Sequence, residues 1–199
     1  EANLHFSDLS NTVMDNSNFY HVNLYKSKFK GASLKNANFN EARGGDTSFK
    51  EADLQGASFS KTHLTDVDFE GANLEKTDFR GAFLQQISFH YAKLEGADFR
   101  KSSLTASSYN DTALQVAGTD YKGVDFKDAD LYAANFRGVT LSGANFSGAN
   151  LGSADLRKTD FTCEQVEQAL HDEKTQFPLS IKVLLGPEGG ILCQETKKN

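Results

Sequence analysis

Large apolar residues recur at every fifth position from Leu4, through Leu9, Met14, Phe19, Leu24, Phe29, Leu34 and Phe39, then from Phe49 to Leu104, Tyr109 and Leu114. Gly44 breaks the series once. The phase then slips by two residues and resumes at Tyr121, running through Phe126, Leu131 and Phe136 to Phe161, which makes 32 centres in all. Two residues before each centre stands a small or β-branched residue, such as Ser27, Ala32, Ala72 or Thr77, and never a charge. Asp or Asn often precedes the centre directly, as at Asn38, Asp53 and Asp98, and Gly often precedes the small residue, as at Gly31, Gly56 and Gly96. The positions after the centre vary freely. A five-residue period matches neither a helix of 3.6 residues per turn nor an alternating strand. The small and large residues of one unit lie two apart, so both point to one side of a short extended segment. The other residues turn a corner, for which Gly, Asn and Asp are suited. Repetition of such a unit winds a β-solenoid around an apolar centre.

Ala72-Asn73-Leu74, Ala97-Asp98-Phe99, Ala129-Asp130-Leu131 and Ala144-Asn145-Phe146 match the pattern A-[DN]-[LF]-x-x in full. On these motifs the chain resembles the pentapeptide-repeat family over residues 1–162. The resemblance implies an all-β fold, a right-handed quadrilateral β-helix with four units per coil. The small residue and the Leu or Phe would face inward. Coils about 4.8 Å apart would stack eight deep into a rod roughly 38 Å long. Leu and Phe alternate along the centres, so a four-sided coil sorts them into separate columns, with Phe59 under Phe79 and Phe99. Each buried ring contributes roughly 1.5–3 kcal/mol.

Two irregularities interrupt the repeat. Arg43-Gly44-Gly45 suggests a bulge or small outward loop, and residues 115–120 are read as a loop or kink carrying the two-residue slip. After Phe161 the period ends. Thr162 to Gln165 fits a capping box opening a helix to about Asp172, with Val166, Ala169 and Leu170 on one face. Residues 163–199 are therefore expected to form a helical C-terminal cap or tail, since a solenoid end exposes its core and a free strand edge. A dimer interface is the other use for this tail. Cys163 and Cys193 flank it. A disulfide would close a loop of about thirty residues and imply an oxidising compartment; two free thiols are the alternative. Some plant lumenal members of the family are similar in carrying a cysteine pair in such a cap. No comparable cover is visible at the other end, so a cap is expected to precede Glu1 in the natural product. The chain, starting without Met, reads as processed, and no targeting segment is visible.

The net charge of -6, from 21 Lys+Arg against 27 Asp+Glu, argues against a general polyanion binder, and direct nucleic-acid binding is not expected. No run is long and apolar enough for a membrane span. The compartment stays open between cytoplasm and a lumenal or periplasmic space. His5, His21, His63, His90 and His171 show no ligand spacing, no phosphate-binding loop is present, and the Asp residues follow the repeat. No catalytic residue, metal site or cofactor is expected, and the chain is read as non-enzymatic. Several members of the resembled family mimic B-form DNA and protect DNA gyrase, which would need an outwardly acidic surface. Here the pre-centre positions carry a net -7 and the freely projecting post-centre positions a net +4.

One side differs from the rest. Taking every twentieth residue, its pre-centre column reads Asn3, Asn23, Arg43, His63, Phe83, Ser103 and its post-centre column His5, Tyr25, Gly45, Thr65, Gln85, Thr105. Both lack carboxylates. Aromatic and Arg side chains in such a setting mark protein contacts, so His5, Tyr25, Arg43, His63 and Phe83 form the candidate partner-binding face. The resulting expectation is a rigid interaction surface or scaffold for a protein partner, monomeric or dimeric through the cap. A topoisomerase-protecting DNA mimic is one alternative. A structural protein of an oxidising compartment is the other.

Overall fold

The structure, a computed structural model of the chain, describes residues 2–105, 114–115, 124–134, 136–138, 140–185 and 191–195. Parallel bridges join residues twenty apart along four ladders, begun by Asn3–Asn23–Arg43, Asp8–Lys28–Ser48, Val13–Ser33–Asp53 and Asn18–Asn38–Ser58. Each unit bonds in both directions along the stack. Leu24 N–H donates to Arg43 O (2.7 Å), and Asn23 N–H donates back to Ala2 O (3.2 Å). Between ladders the chain turns, with Ser27 N–H donating to Leu24 O at 2.9 Å. Lys26, at the third turn position, has φ 54, and its counterparts Gly31, Asn36 and Glu41 are positive as well. That position is where a type II turn requires it. The second residue after each centre is thus constrained by its backbone, although its side chain is free.

The Asp and Asn before each centre fasten the turn. Tyr25 N–H donates to Asn23 Oδ1 at 3.0 Å and Glu70 N–H to Asp68 Oδ1 at 2.9 Å. Buried Ser and Thr of the small column donate to main-chain carbonyls, Ser27 Oγ to Leu24 O (2.5 Å) and Thr62 Oγ1 to Phe59 O (2.8 Å). Among the described residues no buried hydroxyl of this column lacks a protein partner. The core is two Phe columns and two Leu columns. Phe29, Phe49, Phe69 and Phe89 stack at 4.8–5.4 Å between ring centroids. Phe39, Phe59, Phe79 and Phe99 do likewise at 4.7–5.2 Å, edge-on to the first column. Stacked and edge-to-face contacts are both favoured ring geometries.

Arg43-Gly44-Gly45 forms no bulge. Strand β1 (Arg43–Gly45) pairs in parallel register with β2 (His63–Thr65), which pairs with β3 (Phe83–Gln85) and that with β5 (Ser103–Thr105). Neighbours fill the missing side chains. A Cβ on Gly44 would meet Leu64 Cδ2 at 3.1 Å, and one on Gly45 would meet the Tyr25 ring at 2.9 Å. The second irregularity is also placed differently. Strand β4 (Ile87–Ser88) pairs with β6 (Leu114–Gln115), a spacing of 27, whereas Gln85 still pairs with Thr105 twenty residues on. Asp98 and Asp125 keep the spacing of 27. Seven extra residues therefore fall between Thr105 and Leu114, ahead of 115–120, of which 116–120 lie outside the described residues. Leu114 occupies the column of Ile87, two before a centre, and is not itself a centre.

The tail is mainly β rather than helical. Helix α1 (Cys163–Gln168) has six residues, stopping short of Asp172, and Leu170 is exposed. Its capping box is present, with Gln165 N–H donating to Thr162 Oγ1 (3.3 Å) and Thr162 N–H to Gln165 Oε1 (3.0 Å). The chain then rejoins the ladders, Asn150 bridging Leu170 and Asp155 bridging Gln176. An antiparallel hairpin, β7 (Ile181–Leu185) and β8 (Ile191–Glu195), follows. Val166 and Ile181 close over the core beside Phe161. Cys163 and Cys193 stand at disulfide geometry, Cα atoms 5.3 Å and sulfurs 2.12 Å apart.

Candidate partner-binding face

The five candidate residues are brought to one face, in two groups set on its two edges. Arg43, His63 and Phe83 follow one another along the β1–β2–β3 ladder, each one coil above the next. The rings of His63 and Phe83 are 6.0 Å apart. On the other edge His5 and Tyr25 meet edge to face at 5.1 Å. Tyr25 lies over Gly45, the residue after the glycine that breaks the repeat, and the missing side chain there provides a seat for its ring. Tyr25 and Phe83 keep 40% and 39% of their surfaces in solvent. Beside Arg43 and His63 a shallow cleft of about 230 Å³ is completed by His21, Glu41 and Lys61. Tyr20 closes its margin by donating its hydroxyl to Glu41 Oε2 at 2.8 Å. That bond and the carboxylate's charge raise the Tyr20 phenol above its ordinary range.

Sequence reasoning missed Phe6 and Lys26. Phe6 stacks on His5 at 4.0 Å, and Lys26 Nζ lies 5.7 Å from the Phe6 ring centroid and 5.2 Å from that of Tyr25. The signal was available, because an aromatic residue outside the centre column has no core to enter.

Away from this face several carboxylates are matched by cations. Arg80 Nη2 pairs with Asp78 (2.7 Å), Arg100 Nη2 with Asp98 (2.5 Å) and Arg157 Nη2 with Asp155 (2.7 Å). Lys50 Nζ reaches both Asp68 and Glu70, at 3.3 and 2.7 Å. These contacts hold Glu70 below the usual carboxylate range and Lys50 above the usual ammonium range. Among the described residues no three His, Cys, Asp or Glu are grouped to hold a metal ion, and no helix is long and apolar enough to cross a membrane.

The family model for a pentapeptide repeat region matches residues 2–79, 24–99 and 42–118, and that for pentapeptide repeats (8 copies) matches residues 118–162. The chain belongs to the pentapeptide-repeat family. Members of the family are non-catalytic. No curated protein matches this chain. Among solved structures, a trypsin-treated form of QnrB1, a plasmid-mediated fluoroquinolone resistance protein, is 20% identical with a TM-score of 0.50, over 81% of this chain and 90% of that one. HetL, involved in heterocyst differentiation regulation in the cyanobacterium Nostoc, is 25% identical over 96% of this chain and 92% of its own, with a TM-score of 0.29. A pentapeptide repeat protein from the Arabidopsis thaliana thylakoid lumen is 23% identical over 61% and 69%, with a TM-score of 0.26. The QnrB1 likeness speaks to the fold alone.

Proposed function

We propose that this pentapeptide-repeat protein is a right-handed, four-sided rod that works as a rigid protein-binding surface through His5, Tyr25, Arg43, His63 and Phe83. The observation that carries this reading is the in-register ladder of Arg43, His63 and Phe83, opposite the seated Tyr25, with no Asp or Glu in either column from Asn3 to Thr105. Exposed aromatic and Arg side chains on a rigid support lose little conformational freedom on binding, which is where interfaces gain most. Substitution of Tyr25, His63 and Phe83 together by Ala should leave the circular dichroism and melting temperature near wild type. It should also weaken capture of the natural partner at least about tenfold, as expected for hot-spot residues. Undiminished capture would remove this face from the proposal.

The likeness to QnrB1 favours a narrower second reading, in which the protein partner is a DNA topoisomerase protected by a DNA-like rod. The Asp ladder of Asp78, Asp98 and Asp125 supplies negative charge at a regular rise, although Arg80 and Arg100 neutralise much of it. Relief of quinolone inhibition in a gyrase supercoiling assay checks this reading. No relief across a range of protein concentrations counts against it.

A further inference from the structure

Phe6 occupies a turn position with φ 60, and 65% of its surface is exposed. A positive φ is shared by this turn position along the rod and costs a bulky residue roughly 1–2 kcal/mol, and most of the Phe6 ring gains no burial in exchange. The ring is held only by His5, stacked at 4.0 Å, and by Lys26 Nζ, 5.7 Å from its centroid, which leaves most of its surface open to a contact. The surroundings say what kind. Phe6 opens a groove of about 490 Å³ shared with Ser10, Lys26, Lys28, Lys30 and Ser48, with Asp46 at its far side. Three Lys side chains of one coil project there. Lys30 meets Glu51 only at 3.8 Å, whereas Lys26 and Lys28 have no carboxylate within salt-bridge reach among the described residues. Asp8, one coil before Lys28, turns its carboxylate to Ser10 N–H at 3.1 Å. Lys35, at 3.2 Å from Asp53, and Lys50, at 2.7 Å from Glu70, are paired more closely.

We infer that this groove receives an acidic segment of a protein partner, its carboxylates held by Lys26, Lys28 and Lys30 and an apolar side chain laid on Phe6 and Tyr25. The inference rests on the proposed face and names the chemistry that one end of it selects. An extended peptide is favoured over a nucleic acid because the cationic width is one coil, and Asp8 in the coil before and Asp46 and Asp66 in the coils after bound it along the same columns.

The test uses fluorescence anisotropy with a labelled dodecapeptide of Glu and Asp around a central Phe, its Gln/Asn counterpart, and a thymidine dodecamer. The acidic peptide should bind with an affinity that falls with added salt, and the amide counterpart should not bind. Lys26→Glu combined with Lys28→Glu should lower the affinity at least about tenfold. Phe6→Asn, which suits the turn, should lower it several-fold while raising the melting temperature. His63→Ala with Phe83→Ala should change neither. Equal binding of both peptides, indifference to the Lys reversals, or tighter binding of the thymidine dodecamer would overturn the inference. None of these results bears on partner capture by the Tyr25, His63 and Phe83 variant, so failure here is separable from failure of the wider face.

Discussion

Gly56 and Gly138 hold equivalent turn positions at φ 69 and φ 77, but their surroundings differ. A Cβ on Gly56 would meet Asn36 Oδ1, from the previous coil, at 2.5 Å, while one on Gly138 would meet nothing within 4 Å. Gly31 repeats the first case beneath Asn11, at 2.6 Å. Gly138→Ala should therefore cost only the left-handed backbone, about 1 kcal/mol. Gly56→Ala should cost roughly 1 kcal/mol or more beyond that, because Asn36 must move. Denaturant melts of the two variants decide it, and equal losses would show that the Asn covering is irrelevant. This pairing of Asn with a Gly twenty residues later was legible in the sequence only once the coil length was known. The inward Leu and Phe were legible at once, because burial imposes the period on them. The left-handed backbone at Phe6 was not, since the positive φ of its position follows from the turn and leaves no mark on side chains that tolerate it. Lys61, Glu51 and Tyr91 sit there too, at φ 57, 56 and 57.

The terminal coil shows how an element with a fading repeat is held. Asp172 Oδ1 accepts from the N–H groups of Ser153 (2.8 Å), Thr175 (2.9 Å) and Lys174 (3.0 Å), and its Oδ2 from Ser153 Oγ (3.1 Å). The Ser153 amide is the chief cause of a carboxyl pKa drawn down from 3.8 to about 2. A folded pKa below the unfolded one means stability present above about pH 4 and lost as pH falls through about 2. The protection of the Ser153, Lys174 and Thr175 amides relative to intrinsic exchange should fall across that window. Asp172→Asn should be less protected at neutral pH and show a shallower acid response; an unchanged acid response would sink the assignment. The pair Cys163–Cys193, if bonded, adds a cross-link worth about 3–4 kcal/mol in the chain-entropy model. The capping box announced α1, but its length was overestimated, because Leu170 returns to a ladder with Asn150 instead of continuing the helix. The insertion was misread for a simpler reason. A five-residue period reports phase modulo five, so seven extra residues look like two, and Leu114 is apolar enough to suit either phase.

Across the whole molecule the four ladders make length and phase separable. Each coil touches chiefly the coils before and after it, so stability is a sum over neighbours. Deleting residues 65–84 removes twenty, joins Leu64 to Gln85, and leaves every Leu over Leu and every Phe over Phe. The product should fold as a shorter rod with a proportionately lower unfolding enthalpy. Deleting ten, residues 65–74, still sets Phe over Phe, but it moves Phe83 off the His63 ladder and into the second Leu column's ladder, so the rod should fold while its face is divided. Deleting five, residues 65–69, sets Leu over Phe and Phe over Leu at one interface between coils, beyond which like again stacks on like, and the mismatched volumes should destabilise it most, by several kcal/mol across that faulted rung. Melting temperature should rank the five-residue deletion lowest, whereas partner capture should already fail at ten. A ten-residue deletion that melts as early as the five-residue one would mean that the columns do not act by shape. One that binds as well as the full rod would mean that His63 and Phe83 need not share a ladder.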